Sequence, residues 1–259
     1  MKRIFLAICL ILSLNSSLCA QSQKKGLAIG EAVPFREEII YKTRVSWFYN
    51  WSCRTKMSTD AEFVPMVWGR YRDDFLEKCF PERKQKYVLL FNEPDHKKQS
   101  NISVDEAISL SQDEILHGMT VVSPAPANAL GIWMQSYMKK ARENNINFEF
   151  IAVHWYGPPE ANKFLSYIDK VFSLYKKPIW ITEFSVADWN VRDRGPSFRK
   201  EDAISFMKEV LPELERRQSV FRYSWFSDAK NRPELGVLSS LWDPNTGLLT
   251  ELGQIYSEY

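Results

Sequence analysis

Short apolar, β-rich runs recur along this chain with helix-like stretches between them, and this alternation restricts its fold more than any other feature. The runs are residues 26–30, 45–49, 63–67, 87–91, 120–123, 150–154, 178–181 and 221–225. Helical spacing of apolar residues predicts helices over 132–144, 161–175 and 198–217. Pro212 is expected to kink or divide the last of these, because proline removes an internal hydrogen bond. Ser103 and Glu106 form a capping box that opens another helix, and residues 248–259 read as a closing one. Strands alternating with helices imply a parallel sheet. Eight such repeats predict an α/β fold, a compact (β/α)8 TIM barrel. Only about a dozen residues separate the first two runs, so the early helices should be short or missing. A doubly wound open sheet competes, but residues 26–30 lack its G-x-G-x-x-G turn.

The first 20 residues read as a signal peptide. Lys2 and Arg3 precede an apolar core at 4–14, too short to span a bilayer comfortably, and Ala20 offers a small residue at the cut. A lipid-modified Cys19 and an uncleaved anchor are the alternatives. Residues 21–259 then form one catalytic domain, secreted or in the cell wall, acting as a monomer with no membrane attachment once the signal is removed. Loss of the leader leaves Cys53 and Cys79. In an oxidising compartment they either form one bridge or stay as two buried thiols. Asn50 and Asn101 both fit the glycosylation acceptor pattern.

A net charge of +2, spread along the chain, gives no electrostatic footprint for nucleic acid or anionic lipid. The three histidines lack H-E-x-x-H spacing, and neither a G-x-S-x-G elbow, a P-loop nor a zinc-like cysteine pair is present. No metal and no cofactor are expected.

In a parallel barrel the chemistry sits at the C-terminal ends of the strands. There the chain places Asn92-Glu93-Pro94 after the fourth run and Glu183-Phe184 after the seventh. Two carboxylates facing one cleft are the minimal equipment for breaking a glycosidic bond. Their closeness leads to the expectation that Glu93 keeps its proton while Glu183 stays ionised. His154, Trp155, Tyr156, Trp225 and Asp228 end other runs, and Trp189 follows Glu183 in a loop. Indole faces and fixed polar groups suit a neutral sugar. Each residue also has a plainer reading. Glu93 could start a helix, Glu183 could serve a salt bridge, His154 could be structural, and tryptophans are often core, as Trp180 is expected to be.

The ordered series at 45–51, 63–69, 90–94, 122–125, 152–157 and 178–184 resembles the catalytic core of glycoside hydrolase family 128. These are retaining endo-β-1,3-glucanases of a large clan of barrel glycosidases, and the resemblance runs from Gly26 almost to the C-terminus. It implies that Glu93 is the acid/base and Glu183 the nucleophile, the two positions that the strand count reaches independently. It further implies that Asn92 binds the sugar 2-hydroxyl, Tyr156 steadies the nucleophile and Trp225 floors the cleft. With His154, Trp155 and Trp189 these form the expected substrate-binding set, and the partner is a β-glucan polysaccharide or oligosaccharide. Family members include endo, exo and purely binding proteins. A secreted β-glucan-binding module on the same barrel is therefore the alternative function, and a hydrolase of mannan or β-1,4-glucan a third.

Overall fold

The structure, a computed structural model, describes residues 21–82, 84–227 and 232–259. The expected leader at 1–20 and Asp228 lie outside the described residues. In chain order the elements are β1 (Lys25–Ala28), α1 (Arg36–Thr43), β2 (Trp47–Tyr49), β3 (Glu62–Phe63), β4 (Met66–Val67), α2 (Phe75–Cys79) and β5 (Tyr87–Asn92). Then come α3 (Val104–Ser111), β6 (Thr120–Ala125), α4 (Ile132–Glu143), β7 (Ile151–Gly157), α5 (Ala161–Tyr175) and β8 (Ile179–Val186). The chain closes with α6 (Val191–Arg194), α7 (Lys200–Arg216), β9 (Val220–Phe226), α8 (Gly236–Ser239) and α9 (Glu251–Glu258).

The eight runs become nine strands because the third is split by Val64 and Pro65. Proline has no N–H to give to a ladder. Glu62–Phe63 therefore pairs with β2, and after the break Met66–Val67 pairs with β5. The ladders form a six-stranded sheet, β3-β2-β1-β9-β8-β7, and a three-stranded sheet, β4-β5-β6. The chain itself links β3 to β4, and a parallel bridge between Val122 and Phe150 links β6 to β7. All the paired strands run parallel. This is the strand succession of a (β/α)8 barrel with its third strand in two halves.

The early repeats are cramped, as the spacing predicts. α1 has 8 residues, and no helix lies between β2 and β3. Ser103 caps α3 through its hydroxyl, which accepts from the Glu106 N–H. Pro212 behaves differently from expectation, since α7 runs through it without division. Phe206, Met207, Val210, Leu211 and Leu214 bury one face of that helix against the barrel. Burying a large apolar side chain is worth about 1.5–3 kcal/mol, so this face outweighs the roughly 3 kcal/mol cost of an internal proline.

Two apolar layers follow from strand alternation. One set of side chains packs between strands and helices, among them Leu90, Val153, Ile181, Phe184 and Trp225. The other fills the barrel interior with Trp47, Tyr49, Met66, Tyr87, Leu89 and Trp180. Trp180 is core, as expected. At the N-terminal end of the strands the Arg222 guanidinium lies 5.0–5.6 Å from the rings of Trp180, Tyr87, Phe221 and Trp47 and donates to Glu62 at 2.5 Å.

Candidate active site

Both glutamates reach the site through irregular strand ends. Along β5 the register slips between Leu89 and Leu90 and again between Leu90 and Asn92. Phe91 and Glu93 take positive φ values of 21° and 41°, a region that non-glycine residues seldom occupy. This turns Asn92 and Glu93 together into the cleft, where both form part of the lining. Backbone held in this way costs about 1–3 kcal/mol per residue and persists only where surrounding contacts enforce it. Here the Glu93 N–H donates to the Ala125 carbonyl at 2.8 Å, and the Ser100 N–H donates to the Asn92 carbonyl at 3.2 Å.

On β8 the device is one extra residue. Val153 pairs with Ile181 but His154 pairs with Glu183, so Thr182 has no counterpart on β7. An extra residue inverts the alternation beyond it. Ile181 and Phe184 both face the helices, and Glu183 faces the interior.

Glu183 is held by several donors. Its Oε1 accepts from the Tyr49 hydroxyl at 2.9 Å and from the Trp51 indole N–H at 2.8 Å, and its Oε2 accepts from the Tyr156 hydroxyl. His154 lies fully buried between the two carboxylates, its Nδ1 3.0 Å from Glu93 Oε1 and 3.6 Å from Glu183 Oε2. One carboxylate oxygen of each glutamate and a ring nitrogen of His154 all fall within 4.8 Å of one another.

The charges adjust accordingly. Burial alone would push the Glu93 carboxyl up. The hydrogen bond and charge of His154, with the charges of His96 and Arg232, instead hold it below its ordinary value. Burial would likewise push His154 down, but the charge of Glu183, the hydrogen bond and charge of Glu93, and Asp95 raise it. The shift of Glu93 thus runs opposite to the upward one expected of the acid. The two opposite shifts share one cause, since positive charge on the imidazole is favoured beside two carboxylates. Burial, then the charge and hydrogen bond of Glu183, push the Tyr49 and Tyr156 hydroxyls well above their usual range, so both remain donors.

Among the described residues, Glu93, His154 and Glu183 are also a set whose donor atoms could converge on a metal ion. The fit is poor. Tyr49, Trp51 and Tyr156 already occupy the lone pairs of Glu183 that a metal would need.

The cleft above these groups encloses about 950 Å³. Asn92, Tyr156 and Trp189 line it. Trp189 stands 59% exposed, with its indole N–H donating to the Tyr156 carbonyl. Three expectations are corrected. His154 lies beneath the carboxylates with no exposed surface and acts on them rather than on a ligand. Trp155 points outward from β7 and stacks on Phe206 at 5.4 Å, because its neighbours His154 and Tyr156 take the inward positions. Trp225 is fully buried, donates to the Ser239 carbonyl and packs edge-on against Phe184. Strand alternation puts the next residue, Phe226, in the cleft instead.

The roles of Tyr49 and Trp51 as donors to Glu183 escape sequence reasoning, although Trp51 is among the residues that follow the runs. Tyr49 ends the run at 45–49 and Trp51 lies just past it, but contacts across 134 and 132 residues carry no local signal. The position of Trp51 just past a strand end is the one available hint. Exposed Trp68 is a further aromatic lining residue. Asn50, a glycosylation acceptor by sequence, is buried and donates its amide to Glu31 and to the Arg54 carbonyl.

Two glutamates facing one cleft at the C-terminal ends of barrel strands are the arrangement that glycosidases use. Residues 26–256 match the family model described as the glycosyl hydrolase catalytic core, and the chain belongs to that family. Within it, the chain belongs with glycoside hydrolase family 128. An endo-β-1,3-glucanase of family 128, subgroup I, from Amycolatopsis mediterranei in complex with laminaritriose superposes with a TM-score of 0.79. It is 28% identical and covers 92% of this chain and 99% of its own. A subgroup III curdlan-specific exo-β-1,3-glucanase from Blastomyces gilchristii, in complex with glucose, gives a TM-score of 0.70 at 27% identity, over 91% and 98% of the two chains. Alkali-sensitive linkage protein 1 of Schizosaccharomyces pombe is 30% identical over 251 residues, 91% of this chain but 44% of that protein. The present chain therefore spans less than half the length of that relative.

Proposed function

We propose that this protein cleaves β-1,3-glucan internally by a retaining, double-displacement mechanism. The observation that carries the reading is the approach of Glu93 and Glu183 to within 4.8 Å on a cleft floor. Retaining glycosidases need about 5–5.5 Å between carboxyl groups, whereas inverting ones need room for a water between them. The relatives solved with laminaritriose and with glucose support a glucan in the cleft, and exposed Trp68 and Trp189 offer stacking faces for sugar rings.

In the first step Glu183 attacks the anomeric carbon while Glu93 gives a proton to the departing glycosidic oxygen. The C–O bond breaks and a glycosyl ester forms on Glu183. The proton resides on the His154–Glu93 pair, whose atoms are 3.0 Å apart, and it moves to Glu93 as negative charge leaves Glu183. In the second step Glu93 takes a proton from water, the resulting hydroxide attacks the anomeric carbon, and Glu183 departs as carboxylate. Asn92 lines the same cleft and in this mechanism binds the sugar hydroxyl beside the bond cut.

We further propose that residues 1–20 direct export. No helix among the described residues is long and apolar enough to cross a membrane, and the Cys53–Cys79 disulfide suits an oxidising compartment. N-terminal sequencing of secreted protein should find Gln21. A lipid-modified Cys19 or an intact Met1 overturns export by cleavage.

Reducing-sugar assays over laminarin, curdlan, mannan and β-1,4-glucan test the activity. Laminarin should give an early ladder of short oligosaccharides, with the β-configuration retained by NMR and activity lost in Glu183→Gln. A single small product from the start means exo action. Folded protein that binds laminari-oligosaccharides without turnover makes the binding module the correct reading.

A further inference from the structure

The nucleophile depends on a loop that has no helix of its own. Between β2 and β3 the chain passes through residues 50–61 without regular structure, where the barrel repeat would place a helix. This segment carries Trp51, whose indole N–H is one of the donors to Glu183 Oε1. Trp51 takes a left-handed φ of 59°, which a bulky side chain adopts only under constraint. The constraints are on both sides. Asn50 donates to Glu31 Oε1 and to the Arg54 carbonyl at 2.8 Å each, and its Oδ1 accepts from the Ser52 N–H. Glu31 also accepts from the Thr55 hydroxyl and the Lys56 N–H. Two residues past Trp51, Cys53 is bonded to Cys79 at the end of α2. The disulfide thus ties a helix-free loop to the next repeat.

We propose that Trp51 is a positioning residue for Glu183 and that the Cys53–Cys79 bond keeps it in place. The proposal rests on Glu183 being the nucleophile. The titratable and charged groups facing Glu183 are Tyr49 from β2, Glu93 from β5, and His154 and Tyr156 from β7, with Asp95 and Arg232 near the His154–Glu93 pair. With Trp51 released, Tyr49 and Tyr156 remain as donors. The carboxylate loses one charge-assisted hydrogen bond and becomes easier to protonate.

The test compares the full chain with Trp51→Phe and with the double variant Cys53→Ser/Cys79→Ser. A hydrogen bond to a charged group corresponds to a kcat loss of about 10- to 100-fold for Trp51→Phe, with the acidic limb of the pH profile about one unit higher. The double variant should lose kcat in the same direction with KM nearly constant, since neither cysteine lines the cleft, and its acidic limb should move likewise. A folded double variant, checked by near-ultraviolet circular dichroism, with wild-type kcat and acidic limb overturns the role of the disulfide. If the double variant does not fold, Glu31→Ala removes the acceptor shared by Asn50, Thr55 and Lys56, unties the same loop from its other anchor and must show the same shift. An unchanged acidic limb in Trp51→Phe overturns the whole proposal. The Glu183 carboxyl is also titrated by 13C NMR, with Glu183→Gln for assignment. A protein that turns over no glucan overturns the enzymic reading, while that titration still decides the role of Trp51.

Discussion

His154 stands opposite Glu183 across the β7–β8 ladder because Thr182 has no partner there. In an unbroken ladder His154 would pair with Thr182, and Glu183 would face the helices. The one-residue insertion brings Glu183 Oε2 within 3.6 Å of the imidazole. That imidazole then bridges Glu183 to Glu93 across the floor of the site. Within this buried cluster the Glu93 carboxyl is lowered and the His154 imidazole raised.

This arrangement should leave a signature in stability. Glu93 is depressed, so its contribution is present above its unfolded value and is lost as pH falls through the folded one. His154 is raised, so its contribution is present below its unfolded value and is lost as pH rises through the folded one. The pair therefore stabilises most between about pH 4.3 and 6.5, the ordinary glutamate and histidine values. Melting curves of wild type and His154→Gln should differ most in that window and converge on both sides. A difference independent of pH contradicts the pairing.

Glu93→Gln should lower kcat by about 10²- to 10⁴-fold on glucan, the usual contribution of a positioned acid. A substrate whose leaving group needs no protonation should be far less affected in the first step. Steady-state and burst kinetics on the two substrates decide it. Equal losses on both would remove Glu93 from the role of acid.

Trp189→Ala should weaken laminari-oligosaccharide binding by about 0.5–1.5 kcal/mol, the worth of one stacked ring, with little change in melting temperature. Trp225→Ala should instead destabilise the fold by about 3–5 kcal/mol, as a buried tryptophan deleted from a core does. Calorimetric titration and denaturant unfolding separate the two. A Trp225→Ala protein of normal stability and poor affinity would place Trp225 in the cleft after all.

Arg222 sits over four aromatic rings at the N-terminal end of the barrel. A desolvated cation–π contact is worth about 2 kcal/mol or more, and the planar guanidinium stacks where an ammonium does not. Arg222→Ala should lower unfolding free energy by at least about 2 kcal/mol. Arg222→Lys should restore only part of it, with activity per folded molecule unchanged. Full rescue by lysine would show that charge alone matters there.

The strand–helix alternation, the Asn92-Glu93-Pro94 and Glu183-Phe184 strand ends and the capped helix at Ser103 were all legible in the sequence. They are local patterns, set by hydrophobic period and by the residues next to one another in the chain. The tertiary structure decided what depends on parity and on distance. Whether Trp225 or Phe226, and Trp155 or Tyr156, meets the cleft turns on which alternate face each strand presents at its end. The unpaired Thr182 gives no compositional sign of itself, yet it decides that Glu183 faces inward. The disulfide, the donors Tyr49 and Trp51, and the opposite shifts of Glu93 and His154 depend on groups far apart in sequence coming together in the fold. Hydrogen bonding and electrostatics act through space, and only the folded chain brings those partners within range.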